Sequence, residues 1–158
     1  MAKIEITNLQ DCISLEKKLI LLVLRQVMKE EGRSARSLSV VLTDNRHIRE
    51  LNRKYLGKDR HTDVLSFPLE DVDWPGNGSN GWVNGEIIAS AEMAFQQAKA
   101  RNLDPRAELL LYLVHGLLHL LGYNDQTHEE AERMHRREDE VLEQFGFANI
   151  YATRPAVQ

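Results

Sequence analysis

The chain has 158 residues, 42% hydrophobic and 28% charged, with nine Gly and four Pro. These are the proportions of an ordinary globular domain, long enough to bury one core without staples, and a single domain over 1–158 is expected. Its 20 Lys and Arg against 24 Asp and Glu give a formal charge of −4, which argues against coating nucleic acid by bulk charge, while a single cysteine, Cys12, excludes an internal disulfide framework and a Cys-rich zinc site.

The first ten residues, MAKIEITNLQ, lack the apolar stretch of a secretory signal, and no apolar run reaches the ~18 residues of a membrane span. A cytoplasmic protein without membrane partners is expected. Ile4 and Ile6 alternate with polar residues as in a short strand. Ser14 is placed to cap a helix whose apolar positions Leu15, Leu19, Leu22, Val23 and Val27 fall at helical spacing and which stops near Gly32. Leu38, Val40 and Leu42 alternate as a second strand, and Asp44 then caps a short basic helix through Tyr55. Thr62 to Phe67 (TDVLSF) reads as a third strand closed by Pro68. Residues 71–84 hold three glycines, one Pro and both tryptophans, the composition of an exposed loop. Within it Asn77-Gly78-Ser79 fits a turn better than a glycosylation site.

Glu86 to Ala89 forms a fourth strand, and Ser90 caps the following helix, Ala91 to about Arg101. Asp104 followed by Pro105 starts the next helix, since Pro suits the first helical position. That helix runs to Leu121 and is apolar nearly all round, so it should be buried at the centre. Gly122 ends it with a left-handed turn. Thr127-His128-Glu129-Glu130 is a capping box for a last, charged helix to about Phe145, whose acidic run reads as a solvated face. The fold expected is α+β, a small mixed four-stranded sheet with about five helices, packed mainly on one sheet face.

The chemistry concentrates in HGLLHLLGYND, residues 115–125. His115 and His119 are four apart, so on a helix both imidazoles share one face and can grip one metal ion. With six His in the chain such a pair arises by chance about 0.2 times, and two core histidines bonded to backbone would show the same spacing. Two imidazoles on an apolar helix are costly to bury unless something satisfies them, however. Gly122 also turns Tyr123, Asn124 and Asp125 back past the helix end, where one of them can complete a three-ligand site with an open position for water. Glu follows the first His in the zinc-peptidase pattern HExxH; Gly116 stands there here, so any general base lies elsewhere.

At these residues the sequence resembles the YbeY family, bacterial metal-dependent endoribonucleases of ribosomal RNA maturation. Its motif HGxLHLxGYDH is matched from His115 through Tyr123. LNRKYLGKDRHTDVLSFP (51–68) is similar to the family's LNxxYRxKDxPTDVLSFP, and GEIIAS (85–90) to its GDIxIS strand. The resemblance spans about residues 40–145. It implies a hydrolase that cuts single-stranded RNA inside the chain, acts on ribosomal RNA at the 3′ end of the small-subunit species, and serves ribosome quality control. It also implies one divalent metal ion, Zn2+, the small ribosomal subunit as partner, and no DNA.

The chain departs from the pattern at three places. Asp125 stands where the family has its third ligand, usually His, so the ligand set implied is His115, His119 and Asp125. His128 is the alternative, although the capping box turns it towards solvent. Leu56 replaces an Arg that in relatives stands near the metal; Arg53, Lys58 or Arg60 are the candidates to supply its charge to the substrate. His61 replaces a frequent Pro and reads as a solvated loop residue, with a proton donor or extra metal contact as alternatives. No residue is assigned as catalytic acid or base. Two other readings stay open: a ribosome-assembly factor with a structural metal, and a peptidase-like metallohydrolase, which Gly116 opposes. Charge is also uneven. Residues 44–61 hold six Lys and Arg against three acids, and residues 129–143 hold seven acids against three Arg, so a local RNA contact survives the acidic total.

Overall fold

A computed structural model describes residues 3–69 and 82–147. Within them the strands are β1 (Ile4–Asn8), β2 (Ser34–Thr43), β3 (Val64–Pro68) and β4 (Trp82–Ser90). The helices are α1 (Lys17–Glu30), α2 (Asn45–Leu56), α3 (Ala91–Arg101), α4 (Pro105–Leu120) and α5 (His128–Gln144). The strands form one mixed sheet in the order β1-β2-β4-β3. β2 runs parallel to both neighbours, with Val40 paired to Ile6 on one side and to Ile87 on the other. β3 is antiparallel on the edge of β4, Leu65 opposite Ile88.

Because strand side chains alternate, the sheet has two apolar faces of unequal size. Leu38, Val40 and Leu42 of β2 join Ile87 and Ala89 of β4 in the main core under α1 and α4. Leu65 and Ile88 face the other way and meet Ile48 of α2 in a small second cluster. The α+β reading and the concentration of helices on one face therefore hold, with α2 as the helix on the second face.

Of the 16 residues of α4, 12 are buried, as its all-round apolar sequence requires. Each fully buried Leu there is worth about 1.5–3 kcal/mol of transfer free energy. Two glycines let this helix lie directly on β3 and β4. A Cβ on Gly116 would stand 2.9 Å from Ile87 Cγ2 and 3.3 Å from Val64 Cγ2; one on Gly85 would stand 2.8 Å from Leu120 Cδ1. The residue after His115 thus faces the sheet, and no side chain at that position could reach solvent or a substrate.

Local chemistry set most boundaries. The Asp44, Ser90 and Asp104 side chains accept from backbone N–H groups at the starts of α2, α3 and α4, and Thr127 and Glu130 form the reciprocal capping box of α5. Four element starts differ from expectation by two residues or more; β3 opens at Val64 rather than Thr62. α1 starts at Lys17 with Glu16 at its cap and no side-chain cap bond, so Ser14 is not the cap. Gln10 explains this: its side chain accepts from Ile13 N and donates to Ile13 O, holding the approach to Ser14 in a loop. β2 begins four residues before Leu38, and β4 begins at Trp82, so residues 82–84 are strand rather than loop. The rest of the expected loop, including Trp74 and Asn77-Gly78-Ser79, lies outside the described residues. No helix among those described is long and apolar enough to cross a membrane.

Candidate metal centre

Near its C-terminal end, α4 carries His115 and His119, one turn apart. Beyond Leu120 the chain closes a Schellman turn: Gly122 N–H donates to His119 O, and Tyr123 N–H donates to Leu118 O. Gly122 takes φ 105°, a conformation that needs glycine. The turn brings Asp125 back over the helix end. His115, His119 and Asp125 then offer one ligand atom each, all within 4.8 Å of one another.

The hydrogen bonds around this triangle fix its chemistry. His115 Nδ1 lies 2.6 Å from Oε2 of Glu138, a carboxylate of α5 with 0% exposure. His119 Nδ1 lies 3.0 Å from the carbonyl oxygen of Tyr123. Both partners are acceptors, so both Nδ1 atoms carry the proton and donate it. That leaves the two Nε2 atoms with lone pairs, and they face each other at 3.1 Å. Asp125 Oδ2 stands 3.5 Å from His115 Nε2 and 3.4 Å from His119 Nε2. Three acceptor atoms converge with no donor between them, an arrangement that demands a cation or an extra proton.

The spacing suits a metal. Four ligands at about 2.0–2.1 Å around a tetrahedral ion are about 3.3 Å apart, close to the three separations found here. Orienting partners on the far ring nitrogens are likewise the usual support of metal-binding imidazoles. With no metal, the site turns towards a proton. Burial pushes the His115 pKa down, but the Glu138 bond and the charges of Glu138, Asp63 and Asp125 outweigh it, and the net shift is upward.

Further contacts hold the turn in place. The Tyr123 hydroxyl donates to Glu31 Oε2 at 3.0 Å, and burial followed by the Glu31 bond raises its pKa. Arg137 of α5 donates to Glu31 at 2.7 Å and to Glu30 at 2.8 Å. The end of α1, the turn after α4 and the middle of α5 are thus tied together behind the two imidazoles.

The other residues singled out from sequence do not join the triangle. His128 is 86% exposed and pairs with Glu132 at 3.0 Å, away from the triangle. Arg53, Lys58 and Arg60 are exposed at the end of α2 and in the loop after it, and His61 is exposed in the same loop. None of the four shares a hydrogen bond or ion pair with the triangle among the described residues. Asp63 is half-buried and accepts from Val64 N–H and the Thr62 hydroxyl.

Two comparisons bear on the sequence as a whole. The profile described as Endoribonuclease YbeY matches residues 5–146. The Endoribonuclease YbeY of Carboxydothermus hydrogenoformans is 39% identical over 145 residues, covering 90% of this chain and 96% of the relative. The chain belongs to the YbeY family. Another member, from Pelotomaculum thermopropionicum, is 36% identical over 141 residues, covering 87% of this chain and 93% of its own. The solution structure of TM1509 from Thermotoga maritima superposes with a TM-score of 0.62 at 29% identity, covering 90% of this chain and 91% of that one.

Sequence reasoning found the triangle but missed what holds it. Glu138 lies in the acidic run that reads as solvated, yet it is fully buried and bonded to His115. Its position was a signal: Met134, Glu138, Val141 and Leu142 form one buried stripe of α5, and a lone carboxylate in an apolar stripe needs a partner. The Tyr123 carbonyl carried no signal, because every residue has one.

Proposed function

We propose that this YbeY-family chain is a metal-dependent endoribonuclease that cuts single-stranded RNA. In this reading its substrate is ribosomal RNA of the small subunit, handled during 3′-end maturation and quality control in the cytoplasm. The observation that supports it most is the convergence of three lone-pair atoms at 3.1–3.5 Å, with both imidazole Nδ1 atoms committed elsewhere.

His115 and His119 would hold the ion through Nε2, and Asp125 through a carboxylate oxygen. Such an ion, Zn2+ being the best match to two imidazoles and one carboxylate, supplies Lewis acidity at a phosphoryl oxygen and brings a water's pKa towards neutrality. Glu138 and the Tyr123 carbonyl keep the two rings in the Nδ1–H tautomer and aimed at one point. Asp125, 40% exposed, leaves the open side of the site facing solvent, where a phosphodiester can approach. Arg53, Lys58 and Arg60 are the cations proposed to meet the RNA backbone in place of the arginine that Leu56 has replaced. Gly116, packed on Ile87, argues against a peptidase of the HExxH kind, whose base would occupy that position. The absent arginine, in turn, keeps the assembly-factor reading as the alternative.

The test is metal analysis of reconstituted protein, with and without Asp125→Ala, alongside cleavage of a single-stranded ribosomal RNA fragment. One bound metal per chain, lost in the variant, with chelator-sensitive internal cleavage is the expected result. Failure to hold any metal overturns the reading. Metal without RNA cleavage assigns the chain to assembly, and chelator-sensitive peptide cleavage assigns it to another hydrolase class.

A further inference from the structure

The second sheet face carries a feature that the metal centre does not use. Tyr55, in the last turn of α2, is 58% exposed although its ring packs on Phe67 of β3, with centroids 5.8 Å apart. Lys54 places its ammonium 5.3 Å from the centre of the same ring. Two of the six basic residues between 44 and 61 are neutralised, Arg49 by Asp59 at 2.8 Å and Arg46 by Glu50 at 3.8 Å. Lys54, Lys58 and Arg60 have no ion-pair partner within reach among the described residues. A basic last turn complements the helix dipole, which accounts for Lys54. It accounts neither for Lys58 and Arg60 beyond the helix nor for an aromatic side chain left 58% exposed.

The loop that carries these cations is held in shape. Asn52, buried in α2, donates to Arg60 O at 3.0 Å, and the Arg49–Asp59 pair bridges helix and loop. The loop then feeds β3, whose first residue, Val64, packs against Gly116, directly beside His115. Lys58 and Asp63 are five residues apart, so at most about 18 Å of chain separates the cations from the edge of the metal centre.

The geometry points to a single-stranded RNA track that leaves the metal centre along the 58–63 loop and ends with a base stacked on Tyr55, its phosphates met by Arg60, Lys58 and Lys54. Exposed aromatic faces beside a row of cations are what sequence-tolerant single-strand binding uses, since any base can stack and every nucleotide carries a phosphate. This rests on the RNA reading above, extending it from the reacting phosphate to the strand beyond. Leu56 beside Tyr55 is also 50% exposed, so a protein partner is the competing occupant, which the row of cations disfavours.

The measurement is binding of a labelled single-stranded oligoribonucleotide, about 12 nucleotides long, to the full chain in a chelator, so that no cleavage intervenes. Tyr55→Ala is expected to weaken binding at least about fivefold, the lower end of one base stack, and Tyr55→Phe to restore it. The double variant Lys54→Ala, Lys58→Ala is expected to flatten the dependence of log affinity on log salt by about 1.4, at ~0.7 per phosphate contact. All three side chains are exposed, and a thermal melt of each variant checks that it remains folded. If the wild type binds the oligomer and folded Tyr55→Ala and double variants bind it with unchanged affinity and salt slope, the track is refuted and the face belongs to a protein partner. Cleavage that fails while Tyr55-dependent binding persists would overturn the nuclease reading and leave the track standing.

Discussion

Glu138→Gln tests whether the buried carboxylate behind His115 tunes the metal centre. The substitution keeps size and one acceptor for the Nδ1 proton, and it removes the charge. Without metal, Glu138 raises the pKa of His115, so a metal ion competes with a proton at the site. Binding a divalent ion in place of that proton therefore adds one net unit of charge. The 2.6 Å bond and the width of the ring put that charge roughly 6 Å from Glu138, where one unit is worth about 2.8 kcal/mol at an effective dielectric of 20. Relaxation of the amide recovers part of this, so the expected loss of affinity is about 10–100-fold, the range typical of such orienting partners. Competition against a chromogenic chelator at pH 7 measures it. The metal-free variant should be no less stable than the parent at pH 8, because the carboxylate it replaces has a second oxygen, Oε1, with no hydrogen-bond partner among the described residues. Metal binding by Glu138→Gln at wild-type affinity would refute the reasoning, and Glu138 would then be a packing residue only.

The pH dependence of the metal-free protein follows from the same shift. His115 has a pKa above its usual 6.5 in the folded state, so its stabilisation is complete below about pH 6.5 and is lost as pH rises through the folded value. Melting in a chelator should show the midpoint falling on that upward limb, and Glu138→Gln should flatten it; a midpoint that rises there would contradict the assignment. Asp125→Ala should abolish tight metal binding by calorimetry, whereas His128→Ala, which alters an exposed pair, should change neither affinity nor stability by more than about 0.5 kcal/mol. The opposite pattern would move the third ligand to His128. Gly116→Ala should lower stability in urea by up to about 2 kcal/mol, because the added methyl meets Ile87 at 2.9 Å and overpacking of about 1–3 kcal/mol outweighs the ~1 kcal/mol that Ala gains in helix propensity. A stabilised Gly116→Ala would show that α4 can lift from the sheet without penalty.

Local sequence determined much of this molecule. Asp44, Ser90, Asp104 and Thr127 each cap the helix that they announce, because a cap is a bond between a side chain and a backbone two or three residues away. The His pair and the glycine turn that carries Asp125 past it are local for the same reason: helix geometry sets the first, and one residue's φ sets the second. Ser14 was misleading because Gln10, three residues before Ile13, competes for the same stretch of backbone. Tertiary structure decided the rest. That Gly116 faces Ile87, that Glu138 points inward from an acidic helix, and that Glu31 joins Tyr123 to Arg137 all depend on how α1, α4, α5 and the sheet dock. Those contacts bridge up to 106 residues of sequence. The sequence supplied the candidate ligand residues; docking of helices far apart in the chain oriented both rings towards one point, since a buried charge finds its partner only once packing has removed the water between them.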